Sequence, residues 1–215
     1  MKEIQKALRL LPDAVRPFAV ERMMLIIPPS YRRKLANRYS LDSMASMESV
    51  NTVSVENERK SIDDLLILAG SEVKLEFFST FSTFLTDQGY WYGLGKAYIG
   101  SDWLGRYPAD WKKDLFTVSK PQRELLMNPS DLETFDALPN SCTIYRSVSR
   151  REERSDEFGI SWSLSRTVAE FFAFNYVRRT RSETMSIKEI TVPRQEIVAY
   201  FDRRAEREVI YIPLK

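Results

Sequence analysis

The chain changes its hydrophobic period once, at Leu138-Pro139-Asn140, and this change limits the folds that it can form. Before this point, several segments have the three-to-four residue spacing of amphipathic helices. After it, five short segments rich in Ile, Val, Tyr and Trp alternate as strands do. These strand segments are 143–148, 160–164, 186–192, 196–201 and 208–212. The pattern predicts an α+β fold, with an N-terminal helical lobe and a mixed, mainly antiparallel β-sheet core.

Two regions are therefore expected along the 215 residues. Residues 1–120 should form the helical N-terminal region and residues 121–215 the sheet-containing core. Within the first region, residues 43–61 have no sustained period and are rich in Ser, Met, Asn and Glu, which predicts a flexible linker. A helix capped by Ser165 should interrupt the strands, with Val168, Phe171, Phe172 and Tyr176 facing the core.

A glycine-rich aromatic segment lies in the first region. Residues 89–107 hold five of the seven glycines and six aromatic side chains, which predicts a loop-rich surface. The spacing Gly93-x-Gly95 with Gly100 does not match the dinucleotide-binding fingerprint. Two interpretations stay open: a stacking surface for a base or a nucleotide, and aromatic rings that cover a glycine-rich turn. We favour the second.

The chain contains no histidine and one cysteine, Cys142. This inventory excludes a Ser-His-Asp or Cys-His nucleophile, a histidine zinc site and a paired-cysteine metal or redox site. No metal is therefore expected, and acid-base catalysis falls to Glu, Asp, Lys or Tyr. Cys142 directly precedes a hydrophobic strand, which favours a small buried side chain over a nucleophile.

The sequence predicts neither a membrane span nor a signal peptide. The longest uninterrupted apolar runs, such as 23–27, are far shorter than the ~20 residues that a membrane helix needs. Near the N-terminus, Asp13 and Arg16 interrupt any signal-peptide core. We expect a soluble cytoplasmic protein without a membrane partner.

Arg146 stands in an apolar strand, where an unpaired guanidinium would cost several kcal/mol. It therefore needs an anionic partner. A diphosphate would match its planar donors, and so would an internal glutamate. Considered by itself, the residue favours a structural ion pair.

Two further pairs of polar residues follow on predicted strands. Ser161 and Ser163 should share one face, with Trp162 on the other face in the core. Glu206 and Glu208 should also share a face, about 7 Å apart along a strand. Each pair alone is common on exposed strands. The order of arginine, serine and paired glutamates within the last third of the chain favours one common site.

Cleavage of the nicotinamide-ribose bond of NAD needs groups that these residues can supply. The transition state is cationic at the anomeric carbon of the ribose, so a nearby carboxylate stabilises it. An arginine can hold the diphosphate, a serine can orient the carboxylate, and a second carboxylate can polarise the incoming nucleophile. Nicotinamide leaves without a histidine acid, which fits a chain that has no histidine.

The C-terminal 75 residues resemble the mono-ADP-ribosyltransferases of the arginine, serine, glutamate class, which includes cholera-like and clostridial toxins and many bacterial and phage-encoded enzymes. The resemblance implies an ADP-ribosyltransferase-like sheet core. Its motifs are Tyr145-Arg146, Gly159-Ile-Ser161-Trp-Ser163-Leu, Ala169-Glu-Phe-Phe172-Ala173, Glu196-Ile-Val-Ala-Tyr200 and Glu206-x-Glu208-Val-Ile.

The resemblance also implies roles for individual residues. Glu208 would be the catalytic glutamate, Glu206 the residue that activates the acceptor, and Ser161 the residue that braces the site. Arg146 would bind the phosphate and ribose of NAD. The other implied cofactor-binding residues are Ser147, which stands where glycine is frequent in the family, together with Ser163 and Phe172.

Three functions stay open at this point. The first is transfer of ADP-ribose to a macromolecule, with protein arginine favoured over RNA or DNA because Glu206 precedes Glu208 by two residues. Arginine clusters at 150–154, 178–181 and 203–207 keep nucleic acid open, although solvated surface charge is the favoured interpretation. The second is a NAD glycohydrolase, and the third is a non-catalytic binding or inhibitor protein. Whether an antitoxin or an inhibitor protein binds this chain also stays open.

Overall fold

The computed structural model describes residues 2–39, 54–102, 104–176 and 185–214. The chain divides into two compact units. The helical unit comprises Met1–Leu104 and Ser119–Leu126, and the sheet unit comprises Gly105–Val118 and Met127–Lys215. This division differs from the boundary predicted after residue 120, because a helix-containing segment before that point belongs to the sheet unit. The α+β class is confirmed.

Six α-helices form the described part of the helical unit. Their amphipathic faces bury a core that includes Leu8, Met23, Phe77, Phe81 and Trp91. Short 3-10 turns at Asp13–Val15, Ser82–Phe84 and Arg123–Leu126 connect or follow them. The α-helices are α1 (Lys2–Arg9), α2 (Arg16–Ile26), α3 (Pro29–Tyr39), α4 (Val55–Leu68), α5 (Lys74–Phe81) and α6 (Asp87–Ile99).

The glycine-rich aromatic segment is helical over most of its length, so the prediction of a loop there was wrong for residues 89–99. Its glycines lie where α6 contacts other parts of the helical unit. A Cβ atom on Gly93 would lie 2.8 Å from the Phe78 ring, and one on Gly95 would lie 2.1 Å from the Leu126 carbonyl oxygen. Close packing thus explains these glycines, and helix propensity gives no indication of it.

The predicted linker at 43–61 is partly contradicted. Residues 43–53 lie outside the described residues. Ser54 caps α4 by accepting a hydrogen bond from the Asn57 amide at 3.2 Å, so residues 55–61 are helical. The alternating charges and apolar residues of this segment belong to the first turns of a long amphipathic helix.

The sheet unit contains an antiparallel sheet with the strand order β3-β1-β2-β5-β4 in its described residues. All five predicted strand segments are confirmed as strands. The strands are β1 (Ser141–Ser149), β2 (Ser161–Ser163), β3 (Met185–Pro193), β4 (Ile197–Phe201) and β5 (Glu208–Tyr211). The helices are α7 (Ala109–Phe116), α8 (Pro129–Asp136), α9 (Arg150–Ser155) and α10 (Arg166–Glu170), with a π-helical continuation at Phe171–Tyr176.

Strand alternation fixes what the sheet buries. Trp162 is 3% exposed and packs edge-on against Phe158 and Tyr211, so its predicted place in the core is confirmed. Cys142 is also buried, as predicted, and burial raises the pKa of its thiol.

No helix in the described ranges has both the length and the apolar character needed to cross a membrane.

The helix after β2 differs from its predicted orientation. Ala169 and Ala173 are its buried residues, whereas Phe171 is 51% exposed and Phe174 is also exposed. The change to π-helical winding at Phe171 alters the angular spacing on which the prediction of a core-facing Phe171 depended. Phe172 lies between these extremes and is half-buried.

Candidate active site

Arg146 lies near the middle of β1, next to Tyr145. Tyr145 is the β1 residue that pairs with Ser163 of β2 in the described strands. Arg146 Nη1 donates a hydrogen bond to the Ser161 carbonyl oxygen at 2.6 Å, and Arg146 Nη2 contacts Glu152 Oε1 at 2.9 Å. The predicted anionic partner of Arg146 is therefore present, and it is the internal glutamate Glu152. The Nε donor of the guanidinium is buried and has no acceptor among the described residues.

Glu152 reaches Arg146 because it is part of a capping box that starts α9. The Ser149 hydroxyl accepts a hydrogen bond from the Glu152 amide, and Glu152 Oε2 accepts from the Ser149 amide at 2.9 Å. Burial would raise the pKa of Glu152, but the Arg146 charge and the Ser149 donors outweigh it and lower this pKa. Glu152 was not among the predicted site residues, although the pattern Ser-x-x-Glu predicts a capping box.

Gly159 provides the space that the Arg146 guanidinium occupies. A Cβ atom at this position would lie 2.6 Å from Arg146 Nη2, which is closer than real Cβ atoms approach other heavy atoms. The backbone of Gly159 does not have a positive φ, so lack of space and not conformation favours glycine there. Gly159, the glycine of the serine motif, thus leaves space for the Arg146 guanidinium.

Ser161 links the arginine to the glutamate. Its hydroxyl donates a hydrogen bond to Glu208 Oε1, while its carbonyl oxygen accepts one from Arg146. Glu208 is the first residue of β5, and its register partner on β2 is Ser163. Arg146, Ser161 and Glu208, which sequence spacing grouped into one site, therefore lie together in the sheet unit.

Ser163 fixes the loop that leads into β5. Its hydroxyl donates to the Glu206 carbonyl oxygen at 2.7 Å and accepts from the Ser165 amide at 2.9 Å. The Leu164 amide donates to the Arg207 carbonyl oxygen at 3.0 Å, which ties the same two segments a second time. The Ser163 hydroxyl thus contacts backbone groups of this loop and of the segment after β2, and its cofactor-binding role stays a prediction.

Glu206 is not on a strand, so the prediction that it shares a strand face with Glu208 was wrong. It precedes β5 in a loop where Arg204, Ala205 and Arg207 all have positive φ values, of 82°, 56° and 46°. Three left-handed non-glycine residues make this a strained turn, which strand alternation does not describe. Burial raises the pKa of Glu206, and the nearby Arg204 charge opposes the rise.

The two remaining predicted cofactor residues have different surroundings. Ser147 follows Arg146 on β1, so strand alternation directs its side chain to the opposite face. Its hydroxyl oxygen is buried without a hydrogen-bond partner among the described residues. Phe172 is half-buried and packs edge-on against Phe171. The cofactor roles of Ser147 and Phe172 stay predictions.

Lys112 is a further charged residue near this cluster, and the sequence analysis missed it. It lies on α7 and is 8% exposed. Burial lowers the pKa of its ammonium, the Arg146 charge lowers it further, and the carboxylates of Glu152 and Glu208 oppose this lowering. No local pattern connects a lysine on α7 with strands that follow much later in the chain.

Comparison with known protein families, with curated proteins and with solved structures returns no match. The described residues contain no cluster of three or more His, Cys, Asp or Glu residues that could hold a metal ion. Of the three arginine clusters, the one at 178–181 lies outside the described residues. The other two lie in the chain segments that carry Glu152 and Glu206.

Proposed function

We propose that this chain is a NAD-dependent mono-ADP-ribosyltransferase and that its sheet unit has an ADP-ribosyltransferase-like fold. The observation that supports the proposal most is the pair of contacts made by Ser161. This residue orients the Glu208 carboxylate through its hydroxyl and the Arg146 guanidinium through its carbonyl oxygen. Both charged groups are therefore positioned before a substrate binds, as an active site requires. The expected cytoplasmic location belongs to the same proposal.

In the proposed reaction, Arg146 binds the phosphate and ribose region of NAD and places the anomeric carbon near Glu208. The bond between this carbon and the nicotinamide nitrogen breaks, and its electron pair leaves with nicotinamide, which becomes neutral. Positive charge develops on the ribose, and the Glu208 carboxylate stabilises it. The acceptor then forms a bond to the anomeric carbon and loses a proton.

Glu206 is the proposed receiver of that proton. Its partly buried carboxyl has a raised pKa, which makes its carboxylate a stronger base than an exposed glutamate. An acceptor with a very high intrinsic pKa, such as a protein arginine, has the greatest need of such a base. Protein arginine is therefore favoured over a nucleic-acid base, and hydrolysis of NAD by water is the alternative outcome of the same chemistry.

Incubation of the protein with labelled NAD and whole-cell lysate tests the proposal. We expect label on a macromolecule, and digestion with nuclease or protease identifies the polymer that carries it. Glu208→Gln should lower transfer by about a hundredfold or more, since it removes the charge that faces the cationic transition state. Glu189→Gln on β3 is the matched control because this exposed glutamate pairs with Arg166 outside the cluster.

The result of the labelling experiment distinguishes the transferase, the glycohydrolase and the non-catalytic binding protein. Release of free ADP-ribose without labelled polymer would identify a glycohydrolase. Failure of the wild-type protein to consume NAD, with no difference between Glu208→Gln and Glu189→Gln, would contradict both enzymatic functions and favour a non-catalytic binding protein. Circular dichroism of both variants checks that the fold is intact.

A further inference from the structure

Glu152 is an anion that the chain itself places on Arg146. Its Oε1 accepts a hydrogen bond from Arg146 Nη2 at 2.9 Å, and the two side chains are 25% and 23% exposed. Burial opposes the charge of Glu152, but Arg146 and Ser149 stabilise this charge and lower the pKa of the carboxyl group. Glu152 is therefore ionised at neutral pH, where it can compete with another anion for the guanidinium.

The nitrogen of Arg146 that contacts Glu152 is the one that a phosphate needs most. A guanidinium binds a phosphate at two points, through Nη1 and Nη2 or through Nε and Nη2, so Nη2 belongs to both pairs. Nη1 already donates to the Ser161 carbonyl oxygen, and a Cβ atom on Gly159 would lie 2.6 Å from Nη2. A phosphate bound at two points would share this crowded nitrogen with Glu152, and two anions so close together repel each other.

We propose that Glu152 is an internal competitor of the diphosphate of NAD, and that NAD displaces the Glu152 carboxylate from Arg146 when it binds. The Ser161 carbonyl oxygen keeps its hydrogen bond to Arg146, so the guanidinium stays in place while its anionic partner is exchanged. The affinity for NAD is reduced because the protein must first give up its own ion pair. This inference rests on the proposed function and adds a residue that limits cofactor affinity.

The same displacement disturbs the start of α9. Glu152 Oε2 accepts hydrogen bonds from the Ser149 amide at 2.9 Å and from the Ser149 hydroxyl at 3.1 Å. Both oxygens belong to one rigid carboxylate, so release of Oε1 from Arg146 also weakens the hydrogen bonds of Oε2. Cofactor binding therefore leaves the Ser149 amide less protected, although a ligand usually protects the amides around it.

Glu152→Gln tests the competition through the sign of its effect. Glutamine is also a capping-box residue, so the variant removes the charge and keeps the helix start. We expect calorimetric titration to show that it binds ADP-ribose about threefold to tenfold more tightly than the wild type. Its affinity for adenosine, which has no diphosphate, should be unchanged. Glu153→Gln makes the same charge change at the next position, where the exposed carboxylate accepts from Ser186, and should bind ADP-ribose as the wild type does.

Unchanged or weaker binding of ADP-ribose by Glu152→Gln would overturn the inference, since weaker binding would mean that Glu152 only positions Arg146. An equal gain for adenosine would also overturn it. Hydrogen exchange followed by NMR needs no variant: ADP-ribose should speed exchange of the Ser149 amide by about threefold or more, and unchanged or slower exchange would contradict the displacement. A wild-type protein that binds neither ADP-ribose nor NAD would instead overturn the proposed function, and the inference with it.

Discussion

The guanidinium of Arg146 is fixed by three different residues. The Ser161 carbonyl oxygen and the Glu152 carboxylate accept its hydrogen bonds, and Gly159 leaves room for it. A long side chain that is already ordered loses little further conformational freedom when a ligand binds. In the proposed reaction, Arg146 would therefore bind the phosphate of NAD without rearrangement of the strand that carries it.

The space at Gly159 gives a direct test of this arrangement. Gly159→Ala should displace the guanidinium and weaken binding of NAD or ADP-ribose by about tenfold or more, because a charge-assisted hydrogen bond is worth roughly 1.5–3 kcal/mol. Calorimetric titration measures the change. Gly105→Ala is the control, since no atom lies within 4 Å of a Cβ placed there. Unchanged affinity in Gly159→Ala would show that the guanidinium position is not important for binding.

The raised pKa of Glu206 predicts a pH effect on transfer. Glu206 must be ionised to accept a proton, so transfer should decline as the pH falls through a value above 4.5, the ordinary pKa of this carboxyl group. Glu206→Gln should lower transfer more than NAD hydrolysis and remove this acidic limb. Rates of polymer labelling and of ADP-ribose release across the acid-to-neutral range measure both effects. Equal loss of the two activities would contradict the acceptor role.

Sequence spacing grouped Arg146, Ser161 and Glu208 correctly because each lies on a strand that its own local pattern predicts. It missed Lys112 and Glu152 for different reasons. Glu152 belongs to a local capping pattern, Ser149-x-x-Glu152, that is present in the sequence. Lys112 depends on how α7 packs in the sheet unit, and such a long-range contact has no local pattern.

At the scale of elements, the strands were predictable because their segments are rich in β-branched and aromatic residues. Burial does not alternate in every strand, since all five residues of β4 are buried. The α6 helix was not predictable in the same way. Its glycines have low helix propensity and indicate a loop, whereas the structure uses them for close contact with Phe78 and the Leu126 backbone. Tertiary packing therefore makes this segment helical despite the low helix propensity of its glycines.

The packing of α6 predicts a large effect of a small side chain. Gly95→Ala should destabilise the protein by about 1–3 kcal/mol despite the better helix propensity of alanine, because a Cβ atom would overlap the Leu126 carbonyl oxygen. Urea unfolding followed by circular dichroism measures the change in the free energy of unfolding. Gly70→Ala, which meets no atom within 4 Å, should change it little. A stabilised Gly95→Ala variant would contradict the packing explanation.

At the scale of the whole molecule, the proposed chemistry is confined to the sheet unit. All of the residues assigned to the site belong to Gly105–Val118 or Met127–Lys215. The contribution of α7 comes from before the boundary that the sequence suggested, so a fragment that begins at residue 121 would lack Lys112. The sheet unit thus consists of two stretches that are separated along the chain. Local sequence patterns do not show that these stretches belong to one unit.

The capping box of α9 makes the state of Arg146 dependent on a helix of only six residues, because Glu152 is at once the cap of that helix and the counterion of the arginine. Fraying of this first turn would move the Glu152 carboxylate away from the guanidinium and leave the Ser161 carbonyl oxygen as the other acceptor of Arg146. The charge that faces Arg146 is consequently coupled to the melting of one helical turn.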